Sequence, residues 1–124
     1  MDKWRNLSIG GIAGVAARYL LATWIYKVAG TDFPYGTMAV NLSGCLLIGV
    51  FNSLAEVKST LSPNDRILLM TGFCGAYTTF STLILETSNL INDGEMLRAS
   101  MNFFGSGLLG FLLFRVGEYL GAVI

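Results

Sequence analysis

The chain has 124 residues, 53% of them hydrophobic and 13% charged, and its positive mean hydropathy is too high for a soluble domain of this length. Acidic and basic residues balance at 8 each, with no histidine, so there is no net field to attract nucleic acid or an acidic macromolecule, and nucleic acid is not an expected partner. The composition reads as an all-α integral membrane protein.

A hydrocarbon core of roughly 30 Å takes about 20 residues of helix to cross, and the sequence predicts four crossings. The first, Leu7 to Ala29, carries Arg18 near its middle. It is too long, and too charged at its centre, for the core of a cleavable signal peptide, and is expected to be a permanent helix. A guanidinium at that depth needs carbonyls, water or an anion. Arg18 is therefore open to two roles, a cap on backbone carbonyls or a contact for a passing anion. Gly10, Gly14 and Ala17 make a small-residue face on which another helix can approach closely.

Gly30, Thr31 and Asp32 read as a turn, and Pro34 opens the second span, Phe33 to Ala55, which has no charge until Glu56. Thr37 and Asn41 are four residues apart and point the same way, with Gly44 continuing that side. The Asn41 amide can replace water around an ion or hydrogen-bond a neighbouring helix.

Ser62, Pro63, Asn64 and Asp65 form a helix start before the third span, Ile67 to Leu85. That span contains the run GFCGAYTTFST, Gly72 to Thr82, whose hydroxyls and glycines a lipid-facing helix has no use for. Gly72 and Gly75 loosen the backbone, and Thr78 and Thr79 can satisfy freed groups with their hydroxyls, so a break is expected near the middle of the helix, between Gly75 and Thr79. Non-helical backbone at this depth is tolerated when buried in protein or lining a cavity, and its carbonyls suit a hard cation. Beyond the break, Phe80 and Leu83 share one helical side while Thr79, Thr82 and Glu86 share another.

Asn92, Asp93, Gly94 and Glu95 form a loop. The fourth span, Ala99 to Phe114, is short, but Arg98 and Arg115 can snorkel and let the helix run past Glu118. In it Asn102, Ser106 and Gly110 form a narrow stripe that glues helices or lines a path. Cys45 and Cys74 read as small buried side chains rather than metal ligands or a disulfide pair. The whole chain, residues 1–124, is expected to form one domain. Lys3, Arg5, Lys58, Arg66 and Arg115 lie on the amino-terminal side and Lys27 and Arg98 on the other, a bias weak enough to permit insertion in both directions. Four thin helices enclose a solvated path poorly, so an antiparallel, dual-topology homodimer is expected.

The segments GGIAGVAARY (Gly10 to Tyr19), GTMAVNLSG (Gly36 to Gly44) and GFCGAYTTFST together resemble the Fluc-type (CrcB) fluoride channels of bacteria, and the likeness covers nearly the whole chain. The resemblance implies passive, non-enzymatic export of fluoride across the bacterial inner membrane, which relieves fluoride toxicity. It also implies an antiparallel homodimer embedded in lipid, with two pores and a structural sodium ion at its centre. The backbone carbonyls of Gly75 and Thr78 would hold the sodium. Asn41 would line the fluoride pathway with Thr37 before it, Phe80 would turn its ring edge to the anion, and Ser81, Thr82 and Ser106 would supply hydroxyls. Arg18 resembles the family's arginine near the vestibule.

One position departs from that pattern. Where the family usually has a second phenylalanine, this chain has Leu83, which supplies bulk without an electropositive ring edge; slower conduction is expected. Two other classes remain open. A small dual-topology multidrug or cation exchanger needs a membrane-embedded carboxylate, whereas the first span here carries Arg18. A non-transporting assembly subunit would not need the threonine-rich break.

Overall fold

The computed structural model describes residues 2–124. Four long helical passages are apolar enough to cross a membrane, Asp2–Ala29, Tyr35–Glu56, Pro63–Asn92 and Met96–Val123, and the described residues contain no strand. The passages fall where the hydropathy places them; the first, third and fourth extend beyond the expected spans, and the second starts at Tyr35 instead of Phe33. Helix α1 (Asp2–Ala29) has Asp2 in its first turn and Lys27 in its last, both matched to the helix dipole. It stops at Gly30, whose φ of +89° is a left-handed conformation that glycine adopts without strain. After this turn Pro34 caps helix α2 (Tyr35–Glu56).

The third passage is composite. Helix α3 (Pro63–Arg66) begins with Pro63 in the first turn and a reciprocal capping box, in which the Ser62 hydroxyl accepts from the Asp65 N–H and the Asp65 carboxylate accepts from the Ser62 N–H. It runs into a π-helix, Ile67–Cys74, and then one helical turn, α4 (Gly75–Tyr77). At Thr78 and Thr79 the backbone becomes extended, with φ of -92° and -149°. Helix α5 (Phe80–Asn92) resumes immediately, capped by the Thr79 hydroxyl, which accepts from the Thr82 N–H. The expected break is thus present. It occupies two residues, and the unexpected feature is the π-helix before it.

Helix α6 (Met96–Val123) returns the chain to its starting side. Lys58 reaches the backbone carbonyl of Ile124, and Arg98 reaches that of Asp32, so successive passages run antiparallel. The most extensive contacts join α2 to α6 and α1 to the π-helix. Small residues permit both: a Cβ on Gly14 would run into the Phe73 carbonyl, and one on Gly117 into that of Leu46. Burial within the chain is sparse, covering only 11–28% of the apolar windows of the four passages. Most of each helix is left to lipid or to another protein surface.

Candidate functional site

The break is held open by one side chain from α2. Asn41 donates from Nδ2 to the Thr79 carbonyl at 3.1 Å and accepts at Oδ1 from the Thr79 N–H at 2.8 Å. In a continuous α-helix, the Thr79 N–H would serve the Gly75 carbonyl and the Thr82 N–H the Thr78 carbonyl. Asn41 takes the first donor and the Thr79 hydroxyl takes the second. The two carbonyls singled out from the sequence are therefore those that lose their helical donors. Gly75 is exposed and Thr78 half-buried.

Two cavities flank Thr79. The first, about 680 Å³, is lined by Asn41, Thr78, Thr79, Phe80, Leu83 and Ser106, among others. Four of the predicted pathway residues, Asn41, Phe80, Leu83 and Ser106, meet here from three separate helices. Leu83 is buried at 8% exposure, whereas Phe80 is 69% exposed on the open side. The Ser106 hydroxyl is buried without a hydrogen-bond partner among the described residues. In the same stripe Asn102 is committed to packing, donating to the Thr87 hydroxyl at 3.0 Å, and Gly110 lies against Cys45. Cys45 and Cys74 are free thiols on the wall of this cavity.

The second cavity, about 320 Å³, is lined by Arg18, Ala22, Tyr26, Thr37, Thr79 and Thr82, among others. Thr37 and Thr82 thus stand with Arg18 and not with Asn41. Although Thr37 and Asn41 share a helical side, Asn41 is turned into the break and borders the other cavity. Arg18 is half-buried and is not among the donors to the break, so the geometry does not support its reading as a cap on the broken helix. Ser81 is exposed and lies outside both cavities, but its hydroxyl is 3.3 Å from that of Thr79. The Thr79 hydroxyl also donates to that of Thr82 at 3.1 Å, making one connected hydroxyl cluster at the start of α5.

Two residues hold this region together: Thr79, which the sequence places at the end of the break, and Tyr26, which the sequence reading passes over. Thr79 borders both cavities and supplies the backbone groups that Asn41 grips. Tyr26 donates to Glu86 Oε2 at 3.0 Å and accepts from the Thr37 N–H at 3.3 Å. The four-residue spacing of Arg18, Ala22 and Tyr26 puts them on one face of α1, a signal present in the sequence.

These features define a multi-pass membrane protein with two cavities that meet at a broken helix. The chain belongs to the CrcB family: the family described as CrcB-like protein, Camphor Resistance (CrcB), matches residues 6–118. Its relatives include proteins named fluoride-specific ion channel FluC. That of Maridesulfovibrio salexigens is 40% identical over 100% of this chain and 98% of the relative. That of Trichormus variabilis is 44% identical over 93% and 85%, and that of Chlorobaculum tepidum 53% identical over 78% and 76%.

Proposed function

We propose that this chain is a passive fluoride-selective channel of the bacterial inner membrane that exports the anion as an antiparallel homodimer with two pores. The observation that carries this reading is the first cavity, where the Asn41 amide, the Phe80 ring and the Ser106 hydroxyl, without a partner among the described residues, converge beside the break. Fluoride is small and strongly hydrated, so a low-dielectric path must replace its water with donors at each step. The Ser106 hydroxyl is free to donate, and Asn41 retains a second N–H beyond the one given to Thr79. A phenyl edge adds a weaker positive contact. The Arg18 cavity, with Thr37 and Thr82, offers an anion its first partners, and Thr79, whose hydroxyl contacts those of Thr82 and Ser81, borders both cavities. A narrow path built from such donors disfavours chloride, which is larger and less strongly hydrated. The names of the relatives point the same way.

The freed carbonyls of Gly75 and Thr78 fit a hard cation such as sodium, since they are oxygen donors without helical partners. Two carbonyls from one chain do not complete a coordination shell, and a second copy would contribute its own pair. Sodium bound there would supply fixed positive charge at the break. Homodimerisation is supported by the exposure of Gly75, Phe80 and Ser81 in mid-passage, because lipid cannot satisfy polar backbone.

The test is ion release from liposomes containing the purified protein. Rapid fluoride release without chloride release is expected. Absence of any flux would overturn the channel reading in favour of an assembly subunit, and proton-coupled uptake of a lipophilic cation would do so in favour of an exchanger. Cysteine labels at one terminus should react from both sides of the cell membrane; reaction from one side alone would exclude dual topology.

A further inference from the structure

Glu86 is a carboxylate inside the third passage that the proposed route does not use. It lines a third cavity of about 300 Å³, with Tyr26, Asp32, Asn89 and Asp93, near the connection between α1 and α2. Glu86 Oε2 accepts from the Tyr26 hydroxyl, while Oε1 is buried with no hydrogen-bond partner among the described residues. Tyr26 borders both this acidic cavity and the Arg18 cavity. It is fixed there: its hydroxyl accepts from the Thr37 N–H, lies 3.3 Å from the Thr37 hydroxyl, and its ring packs so closely on Gly36 that a Cβ at that position would meet it at 2.5 Å.

We propose that Tyr26 is a positioning residue for anion passage, holding the Glu86 carboxylate on the acidic side and out of the Arg18 cavity. This inference rests on the fluoride reading above. Glu86 lies one turn beyond Thr82 on the same face of α5. Without the tyrosine hydroxyl, the carboxylate loses its one direct donor among the described residues, and the adjoining cavity offers it Thr37, Thr82 and Arg18. A carboxylate turned that way competes with an anion for Arg18 and repels it through a medium of low dielectric. The other charges around Glu86 cannot replace Tyr26. Asp32 and Asp93 have the same sign, Lys27 is exposed at the end of α1, and Arg98 is paired with Glu95 while donating to the Asp32 carbonyl.

The experiment is fluoride release at neutral pH from liposomes carrying the full chain, comparing wild type, Tyr26→Phe, Glu86→Gln and the double variant. Tyr26→Phe is expected to lower flux by about tenfold or more. In the Glu86→Gln background the same change is expected to alter flux by less than about twofold, because a neutral amide neither repels the anion nor competes for Arg18. Unchanged flux in Tyr26→Phe, or an equal loss in both backgrounds, overturns the proposal. So does aggregation of both Tyr26→Phe proteins on size exclusion, which assigns the tyrosine to packing. Aggregation of the single variant with a soluble, conducting double variant supports it. A wild-type protein without fluoride flux would refute the channel function itself, a result separable from any of these.

Discussion

Replacing Asn41 by alanine tests the clamp on which the site depends. The change removes two hydrogen bonds, at 2.8 and 3.1 Å, to the N–H and carbonyl of Thr79. Each is worth about 0.5–1.5 kcal/mol net, rising to about 1–3 kcal/mol where the backbone partner is left buried and unsatisfied. Water in the adjoining cavity can recover part of that. The expected loss is about 2–4 kcal/mol, measured by denaturant titration in detergent micelles. Asn41→Asp keeps the acceptor for the Thr79 N–H but sets a carboxylate oxygen against the Thr79 carbonyl, so it should lose at least as much stability as Asn41→Ala. Both variants should also lose more than about tenfold in fluoride flux, since a donor on the path is removed. Stability of Asn41→Ala within about 0.5 kcal/mol of wild type would refute the clamp, because the Thr79 groups would then have found other partners without it.

Ser106→Ala should differ in its effect on stability: the hydroxyl has no partner to lose among the described residues, so stability should stay within about 0.5 kcal/mol while liposome fluoride release falls. Leu83→Phe should speed release by restoring a ring edge beside Phe80 in the first cavity; equal flux in the two proteins would count against a role for that edge. Gly14→Ala should reduce folded yield on size exclusion because its Cβ meets the Phe73 carbonyl, whereas Gly11→Ala, with nothing within 4 Å, should be tolerated. Replacing sodium by a bulky organic cation should lower the thermal midpoint in micelles if Gly75 and Thr78 bind sodium.

The four crossings were legible because a hydrophobic run of membrane length is a local property, and so was the capping box at Ser62 and Asp65. The break was legible for the same reason: glycine and threonine chemistry between Gly75 and Thr79 acts on adjacent backbone. The π-helix over Ile67–Cys74 has no comparable signature in its own residues, ILLMTGFC, where local propensity offers nothing to choose it over an α-helix; it lies in contact with α1, a partner distant in sequence. Spacing correctly joined Phe80 to Leu83. It placed Thr37 and Asn41 on one helical side but not in their separate cavities, because shared helical direction does not specify which side of Thr79 a residue faces once Asn41 has turned into the break. Tyr26 escaped notice because its meaning depends on Glu86, 60 residues away.

The sequence left Asn41 with two roles, and the geometry makes them compatible. An amide presents two N–H donors and one carbonyl oxygen. Thr79 engages the oxygen and one donor, which fixes the plane of the side chain and directs its remaining N–H without further cost. A donor already oriented by its neighbours loses little entropy when an ion arrives. The same grip withholds the Thr79 N–H from Gly75, freeing a carbonyl for the proposed cation. Helix packing and ion contact are therefore two consequences of one interaction, and weakening the clamp should disturb both the anion path and the cation site. Asn41→Ala is thus expected to reduce the sodium dependence of the thermal midpoint together with fluoride flux. A variant that lost flux while retaining the full sodium dependence would separate the two sites.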